Sequence, residues 1–447
     1  MRILVVGGGG REHAMAQAVV RGGGELYSVM KNRNPGIARI AKDVRLCDEK
    51  DIPAVLGFAQ SVGVEMLLVG PEASLEIGIS DAFERSGIVS ASPSKAAARV
   101  ETDKSFMREL MDRHDVPGRV EHRTFSVPNE AEEFIRSHQG ELVVKPIGLT
   151  GGMGVRIVGE HLKGKDEVVA YARECIELGV SGHNRVVLEE RLEGEEFTLQ
   201  CFTDGIVVSP MPAVQDHKRA YEGDVGPNTG GMGSYSDADH LLPFLPRQVY
   251  DQAVAICQAI VDALRRDGRQ YVGTMYGQFM YTSRGPRVIE VNARFGDPEA
   301  MNVLPIMRTN YVDILTAMVS HSLEDVDVRF ENWATVCKYV VPKGYGTRSL
   351  AGVPVSLDEG AIQRAGAELF YASVDEREGR LLTTTSRSLG IVGIGATIAD
   401  AEQRAESALG AVRGEHDVRH DIGRPALLER RVAHMRELIR ARPPGQA

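Results

Sequence analysis

The sequence predicts a protein of the α/β and α+β classes that is divided into several domains. At 447 residues the chain is too long for one hydrophobic core, which indicates two to four domains. Predicted strands and helices alternate up to about residue 94, the order that forms a doubly wound parallel sheet. After about residue 326 the pattern changes to several strands and few helices. We therefore expect a parallel-sheet domain first, a central domain next and a smaller α+β domain last.

Composition disfavours several functional classes. The formal net charge of −10 disfavours binding to nucleic acid or to an anionic membrane, so we expect neither as a partner. Five scattered cysteines without a C-x-x-C pair fit a reduced, cytoplasmic protein. No apolar run approaches the roughly 20 residues of a membrane span, and no signal peptide is visible.

The first predicted strand, residues 3–6, runs into the glycine loop GGGGREHA and a helical segment. This order lets backbone N–H groups and a helix N-terminus bind phosphate. The dinucleotide fingerprint G-x-G-x-x-G competes with that interpretation, but its third glycine position is occupied by Glu12. The second strand also leads into Lys31-Asn32-Arg33 and not into the acid that binds an adenosine ribose. A nicotinamide site is therefore disfavoured, and a tight turn without a ligand stays open.

Three loops of this first domain follow strands, and they carry Gly9, Asn34 and Pro71. Ligands of open parallel sheets bind beyond the carboxyl ends of the strands. We therefore expect these loops to line one crevice.

A lysine and a glycine loop stand out in the central part. Residues 97–112 have the composition of one helix that includes Lys104, and residues 141–158 read as strand, glycine loop, strand. Lys145 ends an apolar strand, where a buried lysine is costly unless it meets an anion. Four glycines within residues 148–154 allow the backbone to close over phosphates. A Walker A site is excluded, because that motif contains GK[ST] and precedes a helix.

The strongest chemical pattern is RVIEVNARFGDPEA, residues 287–300. Side chains alternate along a strand, so Glu290, Asn292 and Arg294 are expected to share one face. Val288 is expected to continue that face. An acid and an amide two residues apart can bind a hard cation such as Mg²⁺, and an arginine beyond them can bind an anionic oxygen. A strand with a solvated face is the alternative, but the FGDPE loop adds two more carboxylates beside this pair.

Two further segments are polar or rich in glycine. QDHKR (215–219) is a polar cluster in a predicted loop, and GPNTGGMGSY (226–235) reads as a functional loop. The last predicted helix, Pro425–Arg440, has an apolar stripe for the core and arginines on a face expected to be solvated.

Taken together, these segments resemble the phosphoribosylamine–glycine ligase family (glycinamide ribonucleotide synthetases) of the ATP-grasp superfamily. The resemblance covers nearly the whole chain to about residue 314 and, more weakly, the remainder. The matching segments occur in the family's order and are GGGGREHA, NPG, VGPE, VVKPIGLTGG, EE-x-L-x-GEE, QDHKR, GPNTGGMG and NARFGDPEA. The resemblance implies ATP-dependent ligation of glycine to 5-phosphoribosylamine through glycyl phosphate, in de novo purine (IMP) biosynthesis.

The resemblance also implies a domain organisation. A substrate-binding domain would occupy residues 1–100 and an ATP-grasp domain residues 101–325, with a glycine-loop lid at about 123–193. The C-terminal domain would occupy residues 326–447. ATP would be a co-substrate together with Mg²⁺ or Mn²⁺.

Roles for individual residues follow from the same resemblance. The metal would be held by Glu290 and Asn292, with Gln278 as a weaker, neutral ligand. The nucleotide would be bound by Lys104, Lys145, Gly151, Gly152, Glu189, Leu192 and Glu196. Asp216 and Lys218 would lie near the amine and the acyl phosphate, and Arg294 would stabilise the transferring phosphoryl group. Phosphoribosylamine would be bound by Gly9, Asn34, Pro71, Asp297, Pro298 and Glu299.

Two positions depart from the family pattern. Met153 stands where the family's glycine loop, GLAAGKGV, commonly has a lysine, and Gln278 lies in MYGQFM where many members read LYAGLM. Three alternatives remain open: another ATP-grasp ligase, a non-catalytic nucleotide-binding protein and a nicotinamide dehydrogenase. We expect a monomer or a small homo-oligomer in the cytoplasm.

Overall fold

The computed structural model describes residues 1–148 and 154–441. The first part of the chain contains β1 (Arg2–Val6), α1 (Gly10–Arg21), β2 (Glu25–Met30), α2 (Pro35–Ile40), β3 (Asp43–Leu46), α3 (Ile52–Val62), β4 (Met66–Val69), α4 (Glu72–Glu76), α5 (Ile79–Arg85) and β5 (Val89–Ser90). The strands form a parallel sheet in the order β3-β2-β1-β4-β5. The central strand β1 is buried from Ile3 onward, as expected for a sheet with helices on both faces. The predicted doubly wound fold is confirmed.

The next segment forms two helices, α6 (Lys95–Thr102) and α7 (Lys104–Arg113), so the prediction of one helix is wrong. Asp103 separates them because its backbone is extended, with φ −136° and ψ 96°. Its Oδ1 accepts the backbone N–H of Phe106 at 3.0 Å and thereby caps α7. This break places Lys104 at the start of a helix.

A small sheet with its own core follows. It contains β6 (His122–Phe125), α8 (Pro128–Ser137), β7 (Leu142–Pro146), β8 (Arg156–Ile157), α9 (Lys165–Glu177) and β9 (Val186–Glu190). The strands are antiparallel in the order β6-β9-β7-β8, and Ile135, Val144 and Leu188 are buried in a cluster separate from the main core. We call this unit the lid sheet. The lid boundary at about 123–193 stays a prediction.

The central part contains β10 (Glu195–Thr203), β11 (Val208–Pro210), β12 (Gln215–Asp216), β13 (Arg219–Tyr221), β14 (Val225–Asn228), β15 (Gly233–Ser236), α10 (Arg247–Arg266), β16 (Gly273–Thr282), β17 (Gly285–Asn292), α11 (Glu299–Val303) and α12 (Tyr311–Val319). An antiparallel sheet has the order β11-β10-β16-β17. Residues 215–219 and 226–235 are not purely loops, because they contain short strands that pair with others. None of the helices within the described ranges is long and apolar enough to cross a membrane.

The last part contains β18 (Ala334–Pro342), β19 (Pro354–Leu357), α13 (Glu359–Arg364), β20 (Ala367–Tyr371), β21 (Val374–Arg377), β22 (Arg380–Thr383), β23 (Leu389–Gly395), α14 (Ile398–Leu409), β24 (Val412–Arg413), β25 (His416–Asp417) and α15 (Pro425–Arg440). One sheet has the order β12-β15-β18-β23-β20 and therefore joins central strands to C-terminal ones. The domain boundaries at 100/101 and 325/326 stay predictions.

The arginine-rich face of α15 is not simply solvated. Arg431 is within 2.9 Å of the buried carboxylate of Glu195 and 2.5 Å of Asp224. His434 also contacts Glu195, at 2.6 Å. The expectation of a solvated basic face is therefore wrong at Arg431, because α15 packs on β10, where Glu195 requires a cation.

His13 joins the first domain to the C-terminal part of the chain. It lies on α1, and its Nδ1 accepts the backbone N–H of Tyr371 on β20 at 2.9 Å. Burial, followed by the charge of Arg39, lowers the pKa of His13 to about 3. The ring is therefore neutral in the folded protein near neutral pH.

The neutral His13 ring contributes to the stability of the folded protein, and acid is expected to remove that contribution. The pKa of a histidine is ordinarily 6.5 and that of His13 is about 3 in the folded state, so the contribution is complete above pH 6.5 and is lost as the pH falls. Between about pH 7 and about pH 5 the wild type should lose about 2 kcal/mol more of its free energy of unfolding than His13→Gln. Urea unfolding of both proteins at each pH measures this difference.

The comparison with His13→Gln controls for other titrating groups. Burial raises the pKa values of Glu49 and Glu101 to about 7, and these groups stabilise the fold as the pH falls. Their effect is present in both proteins and cancels in the difference. Equal losses of stability in wild type and variant would contradict the prediction.

Candidate active site

Glu290 and Asn292 lie side by side on β17, as the alternation of side chains predicted. The Nδ2 atom of Asn292 is 3.4 Å from Oε1 of Glu290. Across the sheet, Glu290 is paired with Gln278 and Asn292 with Tyr276, both on β16. The two predicted strand ligands and Gln278 are therefore neighbours in one sheet.

Val288 does not continue this face. The register between β16 and β17 shifts between Gln278 and Phe279, so that Ile289 is an extra residue in a β-bulge. Val288 points into the core and has no exposed surface, whereas Glu290 is partly exposed. The expectation of one face from Val288 onward is wrong, because a bulge reverses the alternation.

Glu290 interacts electrostatically with three lysines. Burial by itself raises the pKa of Glu290. The positive charges of Lys218, Lys145 and Lys104 outweigh this effect and hold the pKa of Glu290 below its usual value. Nζ of Lys104 donates to the carbonyl oxygen of Gly148 at 2.6 Å. Burial lowers the pKa of Lys104, and the charge of Glu290 opposes that shift. The arrangement keeps an ionised carboxylate among cations from three parts of the chain.

Lys145 belongs to a buried ion triad. Its Nζ is 2.7 Å from Oε2 of Glu189, and Arg108 donates to both oxygens of the same carboxylate at 2.8 and 2.9 Å. Burial raises the pKa of Glu189, but Arg108 and Lys145 reverse this effect and lower it to about 2. The carboxylate of Glu189 is already bound by two cations, so its predicted nucleotide contact stays a prediction.

A hydrogen-bonded network joins Gln278 to two acids. Nε2 of Gln278 donates to Oε2 of Glu196 at 2.5 Å, and its Oε1 accepts the hydroxyl of Tyr276 at 2.9 Å. The same hydroxyl is 2.9 Å from Oε1 of Glu299, which Thr198 contacts at 3.2 Å. Oε1 is the atom of Gln278 that would bind a metal; it has two lone pairs, one of which accepts from Tyr276, and its predicted role stays a prediction.

Asp216 and Lys218 lie in the same electrostatic cluster. Nζ of Lys218 is 3.5 Å from Oε2 of Glu196. Burial lowers the pKa of Lys218, but nearby carboxylates reverse this and raise it; they belong to Glu196, Glu290, Asp216 and Glu299. Burial and then the charge of Glu299 raise the pKa of Asp216. The predicted catalytic pair and the predicted metal ligand Glu290 are therefore brought together.

Arg294 turns towards the N-terminal half of the chain. Its Nη2 is 2.9 Å from Glu101 on α6, and its Nε is 3.4 Å from Glu72 on α4. Glu101 also accepts the backbone N–H of Ala293 at 2.6 Å. The guanidinium is thus bound by two carboxylates, and its predicted contact with a phosphoryl group stays a prediction.

The FGDPE loop meets the first glycine loop. A Cβ on Gly9 would lie 3.5 Å from Oδ2 of Asp297. Oδ1 of Asp297 accepts the hydroxyl of Tyr339, and Arg387 donates to the backbone oxygen of Asp297 at 2.6 Å. Arg387 also donates to the carbonyl oxygen of Gly230 at 2.5 Å. One C-terminal arginine therefore holds the FGDPE loop and the glycine-rich loop 226–235 together.

Asn34 and Pro71 both lie beside the first glycine loop, since Cδ of Pro71 would be 3.0 Å from a Cβ added to Gly7, but the Asn34 side chain has internal partners. Its Nδ2 donates to the carbonyl oxygens of Gly8 and Tyr371 at 2.9 and 2.8 Å. Its Oδ1 accepts the N–H of Ile37 at 3.2 Å and caps α2. This side chain joins the first glycine loop, the start of α2 and the end of β20, and its predicted contact with substrate stays a prediction.

Glu12 fills the anion site that the first glycine loop would otherwise form. Its Oε2 accepts the N–H of Gly9 at 2.6 Å, and its Oε1 accepts from Arg11 at 2.6 Å. A Cβ on Gly7 would lie 2.7 Å from Cγ of Glu12. A phosphate at the start of α1 would therefore meet a carboxylate. This arrangement opposes phosphate binding by that loop and also opposes the nicotinamide alternative.

Of the remaining predicted residues, two lie within the described part of the chain and two lie outside it. Leu192 follows β9 and is partly exposed, and Pro298 lies beside Gly231, whose added Cβ would be 2.9 Å from it. Gly151 and Gly152 lie outside the described residues, as does Met153.

Sequence reasoning missed three residues that hold this site together, namely Arg108, Glu101 and Arg387. Two of them lie on helices, where charged side chains are usually solvated, and Arg387 lies in a segment without a chemical motif. Their partners are 81, 192 and 90 residues away along the chain. No local pattern in the sequence distinguishes them.

Comparison with known proteins identifies the family. Profiles of phosphoribosylglycinamide synthetase match residues 1–101 (N domain), 102–300 (ATP-grasp (A) domain) and 335–425 (C domain). The phosphoribosylamine–glycine ligase of Methanoregula boonei is 50% identical over 439 residues, which cover 98% of this chain and 100% of that protein.

Solved structures agree on the fold. The crystal structure of phosphoribosylamine–glycine ligase from Thermotoga maritima has a TM-score of 0.79 at 25% identity, and the match covers 94% of this chain and 100% of that one. The biotin carboxylase domain of the Hydrogenobacter thermophilus 2-oxoglutarate carboxylase, solved with MgADP, ADP and bicarbonate, has a TM-score of 0.71 at 16% identity. That match covers 97% of this chain and 93% of the domain and shows likeness of fold alone. The predicted fold class is confirmed, and the chain belongs to the phosphoribosylglycinamide synthetase family.

Proposed function

We propose that this protein is an ATP-dependent carbon–nitrogen ligase that joins the carboxylate of glycine to the amine of 5-phosphoribosylamine. Glycine attacks the γ-phosphoryl group to give glycyl phosphate and ADP, and the amine then displaces phosphate to give glycinamide ribonucleotide. The reaction belongs to de novo purine (IMP) biosynthesis. Two findings support the proposal. The chain belongs to the phosphoribosylglycinamide synthetase family, and it is 50% identical, over 98% of its length, to a relative named phosphoribosylamine–glycine ligase.

The observation that carries the proposal is the group of cations around Glu290. Phosphoryl transfer needs positioning and positive charge on phosphate oxygens, and it needs no nucleophilic side chain. Lys104 on α7 and Lys145 on β7 come from different elements, and the positive charge of each lowers the pKa of Glu290. Lys145 is buried and Lys104 is partly buried. Positive charges brought together in this way suit a strongly anionic ligand, and the triphosphate of ATP is such a ligand.

The residues present fit a divalent cation at Glu290 and Asn292. Both offer oxygen ligands, and Glu290 is held in its ionised form. In the part of the chain that the structure describes, no group of three or more His, Cys, Asp or Glu side chains could hold a metal. Mg²⁺ sites commonly combine one or two protein carboxylates with other oxygen ligands, among them those of nucleotide phosphates. A bound Mg²⁺ or Mn²⁺, with Gln278 as a proposed third ligand, would neutralise charge on the phosphate oxygens.

The chain's own residues would divide the remaining tasks. Nucleotide phosphates would be bound by Lys104, Lys145 and the backbone at Gly151 and Gly152, and the nucleoside by Glu189, Leu192 and Glu196. Lys218, which surrounding carboxylates keep protonated, would lie at the acyl phosphate, with Asp216 at the amine. Arg294 would reach the transferring phosphoryl group after leaving Glu72 or Glu101.

Phosphoribosylamine would bind in the crevice where Gly9, Pro71 and the FGDPE loop meet. Asp297 lies beside Gly9, and the carboxylate of Glu12 lies under the same loop. Carboxylates accept hydrogen bonds from ribose hydroxyl groups and from an amine, so they suit these parts of the substrate better than its phosphate. Asn34, Pro298 and Glu299 would complete the walls of the crevice.

An assay for ADP release tests the proposed function. Turnover is expected only when ATP, glycine and freshly made phosphoribosylamine are all present, and mass spectrometry should identify glycinamide ribonucleotide. Turnover with another acid and none with glycine would favour a different ATP-grasp ligase. Nucleotide binding without turnover on any carboxylate and amine would favour a non-catalytic nucleotide-binding protein.

We also propose a monomer or small homo-oligomer in the cytoplasm, without nucleic-acid or membrane partners. The net charge of −10 supports the absence of such anionic partners. Sedimentation of the protein alone, with duplex DNA and with anionic vesicles tests this. Co-sedimentation at physiological salt would contradict it.

A further inference from the structure

Arg108 is a buried arginine to which the proposed reaction gives no role. It lies on α7, one turn after Lys104, and is 1% exposed. Its Nε and Nη2 donate to the two oxygens of Glu189, on the lid sheet. Its Nη1 and Nη2 also donate to the carbonyl oxygens of Val288 and Ile289, both at 2.8 Å. The planar guanidinium thus joins a carboxylate of the lid sheet to the backbone of β17.

The two carbonyl groups belong to the bulge that precedes Glu290. This bulge sends Val288 into the core and Glu290 to the opposite face, so its geometry determines where the proposed metal ligand points. Nζ of Lys145 is 3.1 Å from the Ile289 carbonyl oxygen as well as 2.7 Å from Glu189. Arg108 and Lys145 therefore have two partners in common, the Glu189 carboxylate and the Ile289 carbonyl group.

We propose that Arg108 is a positioning residue of the nucleotide site: it keeps Glu189 paired while Lys145 moves from Glu189 to the nucleotide phosphates. This inference rests on the proposed nucleotide-binding function. A buried carboxylate with no cation is strongly unfavourable, so Glu189 without Arg108 would retain Lys145. With Arg108 present, Glu189 stays paired in both states, and Lys145 is available to the ligand.

Titration calorimetry with MgATP tests this inference. Arg108→Met should weaken ATP binding about tenfold or more and raise KM for ATP similarly, with KM for glycine changed less than about twofold. Arg108→Lys keeps the charge but not the bidentate geometry, so it should lose less ATP affinity than Arg108→Met. Arg113→Met is the matched control, because Arg113 lies on the same helix, is half exposed and pairs with Asp267. It should bind ATP within about twofold of wild type.

A second variant separates charge competition from a loss of folding. Arg108→Met/Glu189→Gln leaves no unpaired buried carboxylate, and thermal unfolding should show that it folds. Because the neutral amide introduced at position 189 would not hold Lys145 by charge, the double variant should bind ATP within about threefold of Glu189→Gln alone, a comparison that allows for the proposed contact of Glu189 with the nucleoside. A loss from Arg108→Met that is as large in the Glu189→Gln background as in the wild type would overturn the inference, and so would wild-type affinity in Arg108→Met. A wild-type protein that binds no ATP would instead defeat the proposed function.

Discussion

Glu290→Gln is expected to lower turnover at saturating ATP, glycine and phosphoribosylamine by about a hundredfold or more. The change keeps the shape of the side chain but removes the negative charge that three lysines hold in place. The proposed site then offers a divalent cation only neutral oxygens, so the Mg²⁺ concentration for half-maximal activity should also rise. Measuring ADP release over a range of Mg²⁺ concentrations gives both quantities.

Glu25→Gln is a matched control for this substitution. Glu25 begins β2, is exposed, and its carboxylate makes a long contact of 3.9 Å with Arg2. Its replacement should leave turnover within about twofold of wild type. A Glu290→Gln protein with near-normal turnover and an unchanged requirement for Mg²⁺ would refute the role proposed for Glu290.

Lys145→Met is expected to lower kcat/KM for ATP by about a hundredfold or more. Methionine keeps much of the apolar stem but removes the cation that would bind phosphate oxygens. The fold should persist, because Glu189 keeps its bidentate contact with Arg108. Initial rates over a range of ATP concentrations, with thermal unfolding as a check on folding, measure the effect.

Lys163→Met controls for loss of a lysine in the same unit. Lys163 follows β8 and its side chain is exposed, so the variant should have wild-type kinetics within about twofold. Lys145→Met with unchanged kcat/KM for ATP would show that the nucleotide phosphates bind elsewhere.

Much of the fold could be predicted because its signals are local. The apolar run of β1, the glycine loop after it and the buried strand β4 each show their structure within a few residues. The break between α6 and α7 was missed because Asp103 is compatible with a helix until its cap to Phe106 is seen. The strands β12 and β15 were missed because both are short and their sheet is completed by β18, about 100 residues later.

From the residues alone, the geometry of the candidate site could be predicted best where side chains alternate along one strand. Glu290 and Asn292 were placed together correctly, since two residues on a strand return to the same face. The bulge at Ile289 was not foreseen, because no local pattern marks it and the residues that contact its carbonyl oxygen, Arg108 and Lys145, come from other elements. For the same reason no local pattern showed that Glu189 is enclosed in an ion triad.

A crystal structure with a non-hydrolysable ATP analogue and Mn²⁺ would test most directly whether Glu290 and Asn292 hold the nucleotide's metal ion. Anomalous scattering should place Mn²⁺ about 2.1 Å from an oxygen of each residue, with the triphosphate as a further ligand. Nζ of Lys145 should have moved from Glu189 to a phosphate oxygen, and Arg108 should remain on Glu189. A triphosphate and ion bound away from Glu290 and Asn292 would contradict the proposed site.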